Sequence, residues 1–286
     1  MIPCDLCGSI DPQPILESPR LDGPLVRCRT CGLYYVGERR SGLVFGSGSS
    51  AEVVERVRDA NRNLRNLALD EEHRLAGLNA KSRLQLIRQY RPSGKLLEVG
   101  CARGDFLRVA REYFTAFGVE PNPELADEAI RIAPVHKGMI DSEPGSYYDV
   151  AVSFHVIEHT PSPKNFLAAI SQRLRPRGLV VLETPDIESV PFQVLRSRWR
   201  QFIPEHYYFF AKPTMEKLLQ DGGFKVEKII RVRKFASVAL MLNRLSRYFG
   251  PLKYAEGLAT RLHLSRVTFE VDPHDIMIAI ASKKEE

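Results

Sequence analysis

Four of the five cysteines stand near the N-terminus as Cys4-x2-Cys7 and Cys28-x2-Cys31. Two such pairs of thiolates match the tetrahedral sulfur set of structural zinc. Gly8 and Gly32 follow the pairs directly, as a tight knuckle that turns backbone amides toward sulfur requires. A segment of about 30 residues buries too little apolar surface to fold unaided, so a bound ion would supply the folding energy. Four sulfur ligands leave no open coordination position, which makes the expected role structural.

The second pattern is LLEVGCARGDFL, Leu96–Leu107, where an apolar run passes through a glycine-punctuated turn into a helical stretch. Gly100, Cys101, Ala102, Arg103 and Gly104 allow a ligand to approach the backbone closely, but they do not spell G-x-G-x-x-G. Asp105 places a carboxylate where a pyrophosphate would need clear amides, so a nicotinamide or flavin dinucleotide is disfavoured. Glu120, closing the next apolar run, can accept hydrogen bonds from both hydroxyls of a ribose. These features call for a nucleoside ligand with a cationic or zwitterionic arm in place of phosphate. Glu98, inside an apolar strand, needs a partner if it is buried, and otherwise reads as a strand-end carboxylate. Cys101 either lines the ligand or fills a tight turn.

The positioning elements follow from periodicity. Residues 1–37 form the expected zinc-ribbon-like module, and 38–80 a helical connector that begins with GERRSGLVFGSGSS. Residues 81–286 form the main domain. Apolar positions at three-to-four spacing, including Val53, Val57, Leu75, Leu84 and Ile87, predict two or three helices over 51–90. Beyond RPSG, strands KLLEVG, FTAFGVE, VHKGMI, YDVAVSFHVI and LVVLETP alternate with helices, with RPRG read as a turn before the last. That alternation predicts an α/β fold with a Rossmann-like, parallel, doubly wound sheet. A helix over 214–224, the strand KVEKIIRV, a helical insertion at about 236–264 and a final strand over 275–283 complete it.

Composition is that of a globular protein, 44% hydrophobic and 27% charged, without an apolar run long enough to span a bilayer. The N-terminus lacks the basic and apolar regions of a secretory signal, so a cytoplasmic location is expected. A formal charge of +6 favours anionic partners without choosing among them. RSRWR, 196–200, is the one dense basic cluster containing an aromatic, either touching substrate or lying as a solvated loop.

The segments LLEVGCARGDFL, GVEPNP, YDVAVSFHVIEHTPSP and LRPRGLVVLETPD, in this order, resemble the successive motifs of class I S-adenosylmethionine-dependent methyltransferases over roughly 81–230. The resemblance implies that Glu98, Gly100, Cys101 and Gly104 line the methionine arm and that Glu120 holds the ribose. Pro121 and Asn122 would border the adenine, with Ile140 or Asp141 packing against it or bonding to it. Phe154 and His155 would face the sulfonium. PEHYYFFAKPTMEKLLQDGGF, 204–224, and the cysteine module are similar to methyltransferases of nucleotide-linked sugars and of polysaccharide synthesis. The carbon-methylating members of that group carry a further C-terminal domain for which this sequence has no room, so O-methylation is expected over C- or N-methylation.

That narrower resemblance places His206, oriented by Glu205, near the acceptor as candidate general base, with a pKa suited to the task. His159, after Glu158 at the mouth of the fourth strand, is the second candidate and His155 the third. Tyr207, Tyr208, Phe209 and Phe210 read as cleft wall or core. The expected activity is methyl transfer from S-adenosylmethionine to a small or carbohydrate-linked acceptor, with nucleotide-sugars among the candidates. An RNA methyltransferase is one alternative, although Cys4–Cys31 has three basic residues against four acidic ones and no aromatic platform. A non-catalytic, cofactor-binding partner subunit is the other.

Overall fold

The computed structural model describes residues 2–39, 69–145, 147–246, 259, 264, 267–272 and 274–285. The glycine- and serine-rich connector, the helices expected over 51–68 and most of the insertion expected over 236–264 lie outside these residues.

The N-terminal segment forms β1 (Pro12–Leu16), β2 (Leu25–Cys28) and β3 (Tyr34–Val36). Helix α1 (Leu69–Arg88) leads to β4 (Gly94–Val99), α2 (Asp105–Ala110), β5 (Phe114–Glu120), α3 (Pro123–Ala129) and β6 (Val135–Lys137). β7 (Tyr148–Phe154), α4 (Pro163–Arg173), β8 (Leu174–Pro185), α5 (Val190–Leu195), the two-residue β9 (Tyr208–Phe209) and α6 (Lys212–Asp221) follow. The chain continues through β10 (Phe224–Arg231), β11 (Lys234–Ser237), α7 (Val238–Ser246), β12 (Thr268–Val271) and β13 (Ile276–Lys283). Local chemistry sets the helix starts. Asn122 accepts hydrogen bonds from the amides of Glu124 and Leu125, Ser162 accepts one from Asn165, and a proline opens each helix at its first position.

The main sheet has seven strands in the order β10-β13-β8-β7-β4-β5-β6. β6, β5, β4, β7 and β8 pair in parallel, and both faces are covered. Leu97, Ala151, Val180 and Leu182 pack on one face, and Leu96, Val150, Val152 and Val181 on the other with Leu84 and Ile87 of α1. This explains why these strands read as continuous apolar runs.

The wholly parallel sheet expected from the alternation is corrected at one strand. β13 runs antiparallel to both β8 and β10. The amide of Val232, just past β10, bonds the carbonyl of Ile276 at the start of β13, so the chain re-enters at the edge where it left. Without a crossover to the opposite edge, a returning strand must run antiparallel. RPRG is likewise no separate turn. It lies within β8, where the pairing slips between Tyr148↔Leu174 and Val150↔Leu179, and Arg177 takes a φ of 59°. The expected helical insertion opens instead with β11, which pairs with β12, before α7 begins.

β1, β2 and β3 form an antiparallel sheet whose fourth strand is β9, with Tyr34 opposite Phe209 and Tyr35 opposite Tyr208. The amide of Val36 also bonds the carbonyl of Tyr207 at 2.8 Å. Cys4, Cys28, Leu33 and Tyr35 share one apolar cluster with Tyr207, Tyr208, Phe210 and Met215. The cysteine-bearing segment is therefore built into the larger unit along a sheet edge.

Candidate functional site

β4 is where the strand order reverses, since the chain proceeds to β5 and β6 on one side and later to β7 and β8 on the other. In open α/β sheets such a switch point opens a crevice beyond the carboxyl ends of the strands. The turn Gly100–Gly104 lies there. Gly100 has a φ of 77°, and a Cβ on it would come within 2.4 Å of Val156 Cγ2, so only glycine lets the turn press against the segment after β7. Glu120 ties the turn down, one carboxylate oxygen accepting from the Ala102 amide and the other from the Asn122 amide, both at 2.9 Å. Burial raises its pKa against those two amides.

Glu98 is buried beneath the turn, and its Oε2 has no hydrogen-bond partner among the described residues. Burial pushes its pKa well above the usual carboxylate range against the pull of the Arg83 guanidinium. Cys101 takes the turn-filling position of its two expected readings. Its sulfur sits in the core under Gly118, where burial raises the thiol pKa, so only its backbone borders the crevice. Asn122 spends its side chain on capping α3, while Pro121 beside it is half-buried. Ile140 is buried, whereas Asp141 is exposed and accepts at its carbonyl from Arg173. Phe154 packs edge-on against Phe106 with the Arg83 guanidinium over its ring.

His155, just past β7, adopts a left-handed conformation, φ 57°, uncommon for a residue with a Cβ. Its Nδ1 lies 3.2 Å from Glu158 Oε1 and its Nε2 2.9 Å from Glu183 Oε1. The Lys234 ammonium lies 2.8 Å from the same Nε2 and 2.9 Å from Glu183, and Arg83 grips Glu183 through Nε and Nη2. Although burial opposes it, the pKa of Glu183 is held well below the carboxylate range by Lys234 and Arg83. Burial likewise opposes ionisation of Glu158, but His155 with the nearby His206 and His159 brings its pKa to about 2. His155 keeps 30% of its side chain exposed.

His206 sits differently. It is 5% exposed, and burial with the adjacent His159 ring pushes its pKa down to about 3. Such an enclosed imidazole is a weaker proton acceptor than an exposed one. Glu205, expected to orient it, is buried and uses its carbonyl to accept from His159 Nδ1 at 3.0 Å. His159 meets His206 edge to face, with ring centroids 4.5 Å apart.

At the N-terminus, Cys4 lies opposite Cys31 and Cys7 opposite Cys28, each pair 3.5 Å between sulfurs, and all four sulfurs fall within 4.8 Å of one another. Zinc bound to four thiolates at about 2.3 Å requires sulfurs about 3.8 Å apart, so the cluster is compatible with that ion. RSRWR is solvated only in part, with Arg196 and Arg198 exposed and the rest turned inward. Trp199 is 0% exposed in an aromatic cluster with Phe192, Phe202 and Phe209, and Arg200 pairs with the buried Asp275.

Comparison with known families finds a methyltransferase domain over residues 61–229, more than half of the chain. The chain belongs to the methyltransferase-domain family. This methyltransferase is an enzyme that uses S-adenosylmethionine. It is 24% identical over 161 residues to a ubiquinone biosynthesis O-methyltransferase of Burkholderia pseudomallei, covering 48% of this chain and 67% of the relative. It is 29% identical over 154 residues to a tRNA U34 carboxymethyltransferase of Saccharophagus degradans, covering 49% of this chain and 47% of that relative.

Among solved structures, the magnesium protoporphyrin IX methyltransferase of Synechocystis, with bound S-adenosylhomocysteine, aligns with a TM-score of 0.53 at 12% identity. That alignment covers 82% of this chain and all of the other, 100%. A chain of the complex containing the Haloferax volcanii Trm112 methyltransferase activator aligns with a TM-score of 0.56 at 15% identity, over 82% of this chain and 97% of that one. These structures share the fold. No helix among the described residues is long and apolar enough to cross a membrane.

The cluster around His155 contains residues that sequence reasoning missed. Glu183 carried a legible signal, since a lone carboxylate inside LVVLETP must find cationic partners if the strand is buried. Arg83 and Lys234, the partners it finds, lie far away in sequence, and nothing local in KSRLQLIR or RVRKF distinguishes them.

Proposed function

We propose that the enzyme transfers the methyl group of S-adenosylmethionine to a hydroxyl oxygen of a small or carbohydrate-linked acceptor, with His155 as proton acceptor. The observation that carries this reading is the half-exposed imidazole of His155, just past β7 and next to the Val156 that packs on the glycine turn, held between two buried carboxylates. The cofactor, when bound, supplies a methyl group on a sulfonium. The acceptor oxygen forms the new bond to carbon as the sulfur–carbon bond breaks, and the hydroxyl proton passes to Nε2 of His155. Nε2 lies 2.8 Å from the Lys234 ammonium and 2.9 Å from Glu183 Oε1, so the acceptor hydroxyl would take the place of the Lys234 contact when it reaches the imidazole. Glu158 at Nδ1 steadies the imidazolium that results. O-methylation is supported by the relatives named O-methyltransferases, and the carbohydrate class by the likeness of residues 204–224 to sugar methyltransferases.

The chain's residues fit the cofactor. Oε2 of Glu98 is an unsatisfied buried acceptor for the cationic amino group of the methionine arm, and Glu120 retains lone pairs for the ribose. The backbone of Gly100, Cys101 and Gly104 borders the arm, with Pro121, Asn122, Ile140 and Asp141 toward the adenine and Phe154 toward the sulfonium. Zinc, held by Cys4, Cys7, Cys28 and Cys31, is the structural ion of the N-terminal sheet.

One experiment tests the reaction. Cofactor carrying a labelled methyl group is incubated with nucleotide-sugars, phenols and tRNA. Label is expected on an oxygen of a small acceptor, and His155→Ala is expected to lower turnover by about 10²–10⁴-fold while leaving cofactor affinity unchanged. Label in tRNA alone overturns the acceptor class, and unchanged turnover removes His155 from the mechanism.

A pH dependence follows from Glu98. Its raised folded pKa keeps the carboxyl protonated in the free enzyme at pH values where an exposed glutamate is ionised. A cationic amino group beside it favours the charged form, so binding expels a proton and affinity rises as pH increases through that pKa. Calorimetry in buffers of different ionisation enthalpy is expected to register the proton, and Glu98→Gln to flatten the profile. A profile equally steep in Glu98→Gln assigns the proton elsewhere.

A further inference from the structure

A second set of donor atoms stands apart from the cysteines. Glu158 and His159, just after β7, and His206, just before β9, each present one ligand atom, all within 4.8 Å of one another. The segments carrying them are joined by the bond from the Tyr207 amide to the Glu158 carbonyl, at 2.9 Å. Glu158 is 0% exposed and His206 5%, so this is an interior cluster.

Its most informative atom is Nδ1 of His206, which is buried and has no hydrogen-bond partner among the described residues. Buried polar atoms almost always find a partner, and one that does not calls for a ligand or an ion.

Each donor is also held from behind. The Gln201 backbone hydrogen-bonds the His206 ring. His159 donates from Nδ1 to the Glu205 carbonyl, which fixes the tautomer whose lone pair is on Nε2. Thr184 donates its hydroxyl to Glu158 Oε2 at 3.0 Å, and His155 lies against Oε1. Outer partners that fix the ring tautomer and orient the carboxylate are characteristic of metal ligands. Two neutral imidazoles and one carboxylate suit a first-row divalent ion such as Zn2+ or Fe2+, whereas Mg2+ and Ca2+ prefer a set of oxygens.

We infer that Glu158, His159 and His206 form a binding site for one divalent transition-metal ion, separate from the four-cysteine cluster. Three protein donors leave at least one coordination position for an oxygen of water or of a bound molecule. The ion would cross-link the segment after β7 to the segment before β9.

The test is metal stoichiometry, with no dependence on activity or acceptor. The whole, reduced protein is stripped of metal and titrated with Co2+, whose thiolate complexes show intense sulfur-to-metal charge transfer and whose nitrogen and oxygen complexes show only weak ligand-field bands. Two equivalents per chain are expected, one of each spectral type. His206→Ala and, as a second variant, Glu158→Gln are expected to lose the nitrogen–oxygen signal and keep the thiolate signal. A single thiolate equivalent in the wild-type protein overturns the inference, and so does a second equivalent that survives both substitutions.

Discussion

Replacing Glu183 with alanine is expected to destabilise the fold by about 3–5 kcal/mol, read as a shift in the urea unfolding midpoint. The carboxylate is 1% exposed and is the shared counter-ion of Arg83, Lys234 and His155, so its removal strands two cations at the top of β8. Breaking such a pair costs more than the pair contributes, because the remaining charges keep their desolvation penalty. Glu183→Gln preserves shape and isolates the charge. Its stability deficit relative to wild type should shrink in acid. A carboxylate whose folded pKa is depressed contributes stability above its unfolded pKa of about 4.3, and that contribution is lost as pH falls through the folded value. A midpoint shift of less than about 1 kcal/mol for Glu183→Ala would show that Arg83 and Lys234 reach water easily, and the ion cluster would then be incidental to stability.

Stripping the proposed zinc from the cysteine cluster, or substituting Cys28→Ser, is expected to have the other large effect. Structural zinc contributes folding energy outright, on the order of 10 kcal/mol in small zinc-dependent folds. Here the consequence would extend past the cysteines, because β3 pairs with β9 and the Val36 amide bonds Tyr207. Amide exchange at Val36 and Tyr208 is expected to accelerate by more than about a hundredfold, since these bonds sit at the junction where local opening would begin. Methyl transfer should fall with it, as the segment from Tyr207 back to Glu205 loses its anchor. Exchange at Val36 that is indifferent to chelation would mean that the apolar cluster around Tyr35 and Tyr207 holds the junction without metal.

Much of the central sheet was legible because parallel strands covered on both faces are largely apolar, and LLEVG, AVSF and LVVLETP are, with Glu98 and Glu183 as the charged exceptions. The glycine turn was legible for a steric reason, since a reversal between strand and helix pressed against Val156 admits no Cβ at Gly100. Long-range geometry was not legible. Nothing in YYFF announces that Tyr208 and Phe209 add a strand to an N-terminal sheet, because a two-residue pairing leaves no periodicity. The reversal of β13 is also invisible locally, since an apolar strand reads alike in either direction. The histidines show the same limit. His155, His159 and His206 are equivalent as letters, and only burial separates the half-exposed one from the enclosed one. Glu98 and Glu183 were each detectable as a charge in an apolar run, but their cations come from α1 and β11, remote in sequence.

The reversed strand also bears on how the protein is made. β13, residues 276–283, lies between β8 and β10 and follows both in the chain, so during synthesis the edges it will pair with remain open until β13 itself has left the ribosome. Exposed sheet edges are templates for unwanted pairing. The nascent chain therefore passes through a stage in which its five parallel strands are complete and one apolar flank is uncovered, and at that stage yield on overexpression should depend most on chaperone supply.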